Sequence, residues 1–161
     1  MNHCPFPGRM LIEPLASCPE VIPTLAQWFC DEWPYEGRSC SEAEAQLREN
    51  LNRDRLPITW VCRLGKEVVG TVSLDLSDLP LPDYAHLSPW LASLYVIPSA
   101  RGRGIGRALV NHLLDFARLR SISTIYLWTP GSTTMYDKCG WKILKTTTYT
   151  GRPITVMQIG L

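Results

Sequence analysis

The sequence predicts an α/β (α+β) fold, a single domain whose mixed sheet is flanked by helices. Three observations carry this. Apolar runs of strand length recur along the chain, strand-period and helix-period segments alternate, and a glycine-rich loop separates a buried strand from an amphipathic helix. The 161 residues suffice for one domain with a sizeable core, placed over about 10–160, with a loose terminus over 1–9.

"MLIEPL" opens as a short strand. A helix follows from about Pro23, with Leu25, Trp28 and Phe29 on one face. The next helix start is "SEAEAQLRENLN", where Ser41 and Glu44 have capping-box spacing. "ITWVCRL" and "EVVGTVSLDL" are two strands separated by "GK", a hairpin signal. "SDLPLPDYAHLSP" holds three prolines and reads as a loop. "WLASLYVI" has the length and apolarity of a buried strand. After it come the glycines and a helix carrying Ile105, Ala108, Leu109, Leu113 and Phe116 at helical spacing. "TIYLWT" is a further buried strand and "MYDKCG" a short helical turn. "WKILKTTTY" and "ITVMQIGL" form a last hairpin around "TGRP".

Composition excludes several classes. A 45% hydrophobic content is that of a globular chain, and no apolar run reaches the roughly 20 residues of a membrane helix. The first residues lack the basic and apolar regions of a secretory signal. The six cysteines show no C-x-x-C pair, so neither a zinc site nor a disulfide framework is expected, and a reduced cytoplasmic setting is. Net charge is +1, giving no general pull towards nucleic acid or membrane. The charge is unevenly spread, however. Residues 1–83 carry 13 acidic and 7 basic side chains, and residues 84–161 carry 2 and 9. That division suits a protein which brings a cation and an anion together.

The glycine loop supplies the anion end. "VIPSARGRGIGRAL" places Gly102, Gly104 and Gly106 among Arg101, Arg103 and Arg107 at a strand-to-helix junction. The first backbone N–H groups of the helix lie free there, at the positive end of its dipole, and glycines leave them accessible. A phosphate or pyrophosphate is the natural ligand. No Walker A string occurs, and the dinucleotide fingerprint fails because Arg107 stands at its last position. The remaining pattern, R/Q-x-x-G-x-G/A after a strand, is met by Arg101-Gly102-Arg103-Gly104-Ile105-Gly106.

With "YDKCGW" downstream, where Tyr136 precedes Gly140 and Trp141, the chain resembles the GCN5-related N-acetyltransferases. The likeness covers most of the chain and is strongest from Trp90 to Trp141. It implies a mostly antiparallel sheet with a splayed central strand pair. It also implies acetyl-CoA as cofactor without a metal, its pyrophosphate on the amides of residues 101–107 and its pantetheine arm along Leu94, Tyr95 and Val96. Many members carry an asparagine where this chain has Thr129-Pro130-Gly131, which places Thr129 at that cofactor contact.

Acetyl transfer needs a neutral amine, a donor for the carbonyl oxygen and a proton for the departing thiolate. A backbone N–H near Tyr95 or Val96 answers the second need. The resemblance puts Tyr136 beside the thioester sulfur as general acid. For the base, or for attraction of the amine, Asp75 and Asp78 are the candidates, with Asp83 and Glu32 behind them. Trp33, Tyr35, Trp90 and Ser93 are assigned to the acceptor side, where aromatic faces suit an ammonium. Trp28, Trp60 and Trp141 read as core, and Cys139 as a packed thiol. The expectation is transfer of an acetyl group to a primary amine of a small, cationic acceptor by direct attack in a ternary complex. A protein N-terminal acetyltransferase and a non-catalytic acyl-CoA sensor are the alternatives. An exposed edge strand near "TVMQIGL" suggests a homodimer.

Overall fold

In the computed structural model residues 8–161 are described, so His3, Cys4 and nearly all of the terminus expected to be loose fall outside them. Seven strands form one sheet in the order β1-β2-β3-β4-β5-β7-β6. They are β1 (Met10–Pro14), β2 (Ile58–Leu64), β3 (Glu67–Asp75), β4 (Trp90–Val96), β5 (Thr124–Thr129), β6 (Lys142–Tyr149) and β7 (Arg152–Gly160). The helices are α1 (Ile22–Glu32), α2 (Cys40–Glu49), α3 (Ile105–Leu119) and the short α4 (Thr134–Lys138). Neighbouring strands are antiparallel except β4 and β5.

Alternation along the strands sends side chains to two layers. Trp60 and Cys62 of β2 face α3, and with Ile105, Leu109, Leu113, Ile125 and Met157 they make the largest core cluster. Val61, between them, joins Leu25, Phe29 and Leu47 under α1 and α2 on the other face. The proline-rich loop covers that second face further along, where Leu79 and Tyr84 pack on Trp90, Ile154 and Val156. The two helices and the loop therefore leave a gap between them, above the middle of β4.

Three readings of the sequence are corrected. Helix α2 starts two residues earlier than expected: Ser39 is the cap, its hydroxyl accepting from the Glu42 N–H while the Glu42 carboxylate accepts from the Ser39 N–H. Two S-x-x-E frames overlap here, and the earlier one turns Ala43 and Leu47 into the core. The exposed edge is β6 rather than the β7 stretch "TVMQIGL", because β7 folds back between β5 and β6. Finally, Cys30 and Cys40 are paired as a disulfide, their Cα atoms 5.8 Å apart. No sequence motif joins two cysteines 10 residues apart, but the α1–α2 turn brings the helix ends together.

Candidate active site

Strands β4 and β5 meet at one register position, Trp90 opposite Tyr126, with the Tyr126 N–H donating to the Pro89 carbonyl over 3.1 Å. Beyond it they diverge. On its other side β4 stays paired to β3, with Thr71 opposite Tyr95 and Gly70 opposite Val96. A bulge accompanies the change of register, and Ser93 adopts a left-handed φ of 54°. The backbone edge of residues 92–96 thus faces an open cleft of about 340 Å³, closed opposite by Trp128, Thr129, Pro130 and Gly131.

At one end of the cleft lies the start of α3. Gly102 and Gly104 have φ of 76° and 78°, a region L side chains rarely enter, and a Cβ on either would meet no protein atom within 4 Å. Gly104 is the N-cap of α3, and no side chain caps the helix. Arg101, Arg103 and Arg107 are exposed around this start. Arg101 is held in place, donating from Nε to the Val96 carbonyl over 2.8 Å and stacking 5.5 Å from the Tyr95 ring. The open cradle, the uncapped dipole and the fixed guanidinium fit a pyrophosphate, and the free edge of β4 fits the amide-bearing arm of coenzyme A.

Tyr136, on α4, reaches the middle of the cleft and packs edge-on against Trp141, with ring centroids 6.2 Å apart. Burial, with a smaller push from Cys139, raises its pKa to about 12. The phenol is therefore a proton-bearing donor throughout the neutral range.

The far end is aromatic and acidic. Trp33 stands 6.2 Å from Tyr95, and Trp28 packs at 5.3 Å on the same ring. Tyr35 also lines the cleft, its ring covered by the Arg152 guanidinium at 4.1 Å. Glu32, Glu36 and Asp78 supply carboxylates. Asp78 is pushed well above the ordinary carboxylate range by burial, then by Asp75 and Glu36, against the opposing pull of Trp128 and Arg38. Burial also raises Glu36, against Arg38. Asp75 sits deeper, 6% exposed, and accepts a 2.7 Å hydrogen bond from Asn50 Nδ2. Asn50 donates also to Thr59, whose hydroxyl contacts Ser73, so the network beneath Asp75 is satisfied. Burial lifts Asp75 to about 6, against the Asn50 hydrogen bond and Arg38. A cavity of about 10 Å³, the space of roughly one water, lies between Asp75, Ser93, Asn50 and Arg38.

Of the residues singled out in the sequence, the cleft gathers Glu32, Trp33, Tyr35, Asp78, Ser93, Leu94, Tyr95, Val96, Arg101, Thr129 and Tyr136, whereas residues 102–107 lie beyond Arg101 outside its lining and Asp75 lines the small cavity beneath. Trp90 does not belong: it is 1% exposed, with its indole N–H bonded to the Leu87 carbonyl, because it opens β4 before the strands part. Asp83 and His86 line a separate groove with Tyr84 and Tyr126. His112 packs edge-on against Trp60, its pKa lowered by burial. Trp28 is half-buried against Tyr95 rather than in the core. Sequence reasoning missed Glu36, Arg38, Asn50 and Trp128, which carry no motif and converge only through long-range packing. Among the described residues no group of side chains is placed to hold a metal ion, and no helix is long and apolar enough to cross a membrane.

Comparison with known proteins follows the same lines. The family model for the acetyltransferase (GNAT) family matches residues 22–141. N-acetyltransferase 8 of Rattus norvegicus is 30% identical over 123 residues, 71% of this chain, which spans 54% of that protein's length. A solved ribosomal-protein-alanine N-acetyltransferase from Brucella melitensis superposes with a TM-score of 0.71 at 25% identity, over 94% of this chain and 99% of that one. An aminoglycoside 6'-N-acetyltransferase solved with coenzyme A gives 0.71 at 22% identity, over 93% and 96%. Family, fold and cleft agree, and the chain belongs to the GNAT acetyltransferases.

Proposed function

We propose that the protein is an acetyl-CoA-dependent N-acetyltransferase acting on a primary amine of a cationic small molecule, by direct attack with cofactor and acceptor bound together. One observation carries this reading. A single cleft runs from Arg101, just before the uncapped start of α3, past a proton-bearing Tyr136 to a carboxylate cluster. Bound acetyl-CoA would supply an acetyl thioester at the cleft centre, as the coenzyme A complex of the aminoglycoside enzyme supports by analogy of fold.

This chain's residues would do the rest. Residues 101–107 bind the pyrophosphate, and Leu94, Tyr95, Val96 and Thr129 hold the arm. Trp33 and the carboxylates Glu32, Glu36 and Asp78 draw in the ammonium, with Tyr35 and Ser93 beside them. Asp75 accepts the amine's proton through one water in the small cavity, and Asn50 fixes its carboxylate. As the nitrogen bonds to the acetyl carbon and the carbon–sulfur bond breaks, Tyr136 donates a hydrogen bond to the departing sulfur. With the phenol at about 12 and an ordinary thiol near 8.5, full transfer is uphill by about 5 kcal/mol, so Tyr136 stabilises the thiolate more than it protonates it.

A second groove of about 220 Å³ continues past Arg38, Asp78 and Trp128 to Gln46, Pro80 and Tyr149. Its presence favours, as a second reading, an extended acceptor such as a peptide N-terminus. Acetyl-CoA-dependent thiol release over polyamines, amino acids, aminoglycosides and short peptides, with Tyr136→Phe alongside, tests both. Release confined to one amine class, and at least tenfold lower in the variant, is expected. Tight acetyl-CoA binding without release to any amine would favour the sensor alternative.

A further inference from the structure

Arg38 lines the main cleft, the water-sized cavity and the outer groove. It lines the acidic end of the cleft itself, whereas Arg152 is stacked on the outer side of the Tyr35 ring and Arg101 lies at the cofactor end. Its position is fixed from several sides. Gly37 turns the chain with a left-handed φ of 69°, Ser39 caps α2 immediately after, and Cys40 is tied to Cys30. The guanidinium donates from Nη1 to Gln46 Oε1, stands 3.7 Å from the Glu36 carboxylate and lies 5.9 Å from the Phe29 ring.

The geometry points to Arg38 as a specificity-determining residue: it is the built-in counter-ion of the carboxylate cluster and restricts acceptors to those bearing a single positive charge. This rests on the acetyltransferase reading above. An acceptor ammonium at the acidic end of the cleft meets Glu32, Glu36 and Asp78. The continuation of that acceptor runs along the outer groove, which Glu36 and Asp78 line beside Arg38, and passes the guanidinium. A second ammonium there meets a fixed like charge in a half-buried setting, while a neutral chain does not.

The same charge acts on the proposed base. The charged groups facing Asp75 and Asp78 are Arg38 and Glu36, from the segment between the first two helices, and each other. The uncharged polar groups are Asn50 and Gln46 from α2 or its end, Thr59 from β2, Ser73 from β3, Trp128 from β5 and Tyr149 from β6. Arg38 opposes the upward shift of both aspartates. Arg38→Gln removes the charge and Arg38→Lys retains it.

The test compares n-butylamine with 1,4-diaminobutane as acceptors for the wild type and both variants. In Arg38→Gln the kcat/KM ratio of diamine to monoamine is expected to rise ~fivefold, the scale of one unit charge removed from a half-buried cluster. Arg38→Lys should stay near the wild type. An unchanged or falling ratio, or a lysine variant that behaves as glutamine does, overturns the proposal. A second readout needs no turnover: the side-chain carboxyl carbon of Asp75, titrated by NMR in the holo protein, should shift upward in midpoint in Arg38→Gln alone. An unmoved midpoint overturns the counter-ion role even if no amine is acetylated. Absence of acetyl transfer in the wild type would instead defeat the acetyltransferase reading, leaving the titration to decide Arg38.

Discussion

Replacing Asp75 by Asn should make the protein more stable near neutral pH while disabling it. The side chain is 6% exposed, and its carboxyl titrates at about 6 rather than the 3.8 of a free aspartate. Between those two values the folded chain keeps a proton that the unfolded chain has lost. Stability therefore falls as pH rises through that window, and is fully retained only below about 4. The gap between about 6 and 3.8 amounts to about 3 kcal/mol, and the charge on Asp75 in turn raises the neighbouring Asp78. Asparagine carries no such penalty and still accepts from Asn50 through its carbonyl oxygen. Urea unfolding of both proteins at pH 4 and pH 7.5 measures it. The stability of Asp75→Asn relative to wild type should grow with pH by up to about 3 kcal/mol, while kcat/KM falls at least 100-fold. A difference that stays flat with pH would refute the buried, proton-hungry carboxyl, and an active variant would refute its role as base.

Other outcomes follow from the same geometry. Gly104→Ala forces a side chain into a left-handed φ of 78°, costs about 1 kcal/mol in stability, and should weaken coenzyme A binding at least tenfold by calorimetry with acceptor KM unchanged. Cys30→Ser should lose about 3 kcal/mol of stability under oxidising conditions, from a short loop released. It should also raise acceptor KM, because the released segment carries Glu32, Trp33, Tyr35, Glu36 and Arg38. Coenzyme A affinity should not change.

Local signals made much of the fold legible. The period-2 runs and the "GK" turn located β2 and β3, and the helical spacing from Ile105 located α3. The proposed cofactor end of the site was legible too, because it is built from one contiguous loop and strand. The acceptor end was not. Asn50, Asp75 and Arg38 meet only after α1 and α2 fold over the sheet, and nothing in the sequence near Asp75 announces a partner 25 residues away. Trp90 misled for a related reason: it starts the right strand, yet lies on the paired side of the point where β4 and β5 separate. The Cys30–Cys40 pair likewise depends on the angle between two helices, which composition does not encode.

The most direct test of the central claim, attack by the amine on an acetyl group held in the same cleft, is an initial-rate matrix in acetyl-CoA and amine with intact-mass analysis of the enzyme. Intersecting double-reciprocal lines and a protein of unchanged mass after exposure to acetyl-CoA alone are predicted. Parallel lines with an acetylated enzyme would contradict it, moving the chemistry to a nucleophile on the chain, with Cys139 beside Tyr136 the first to examine.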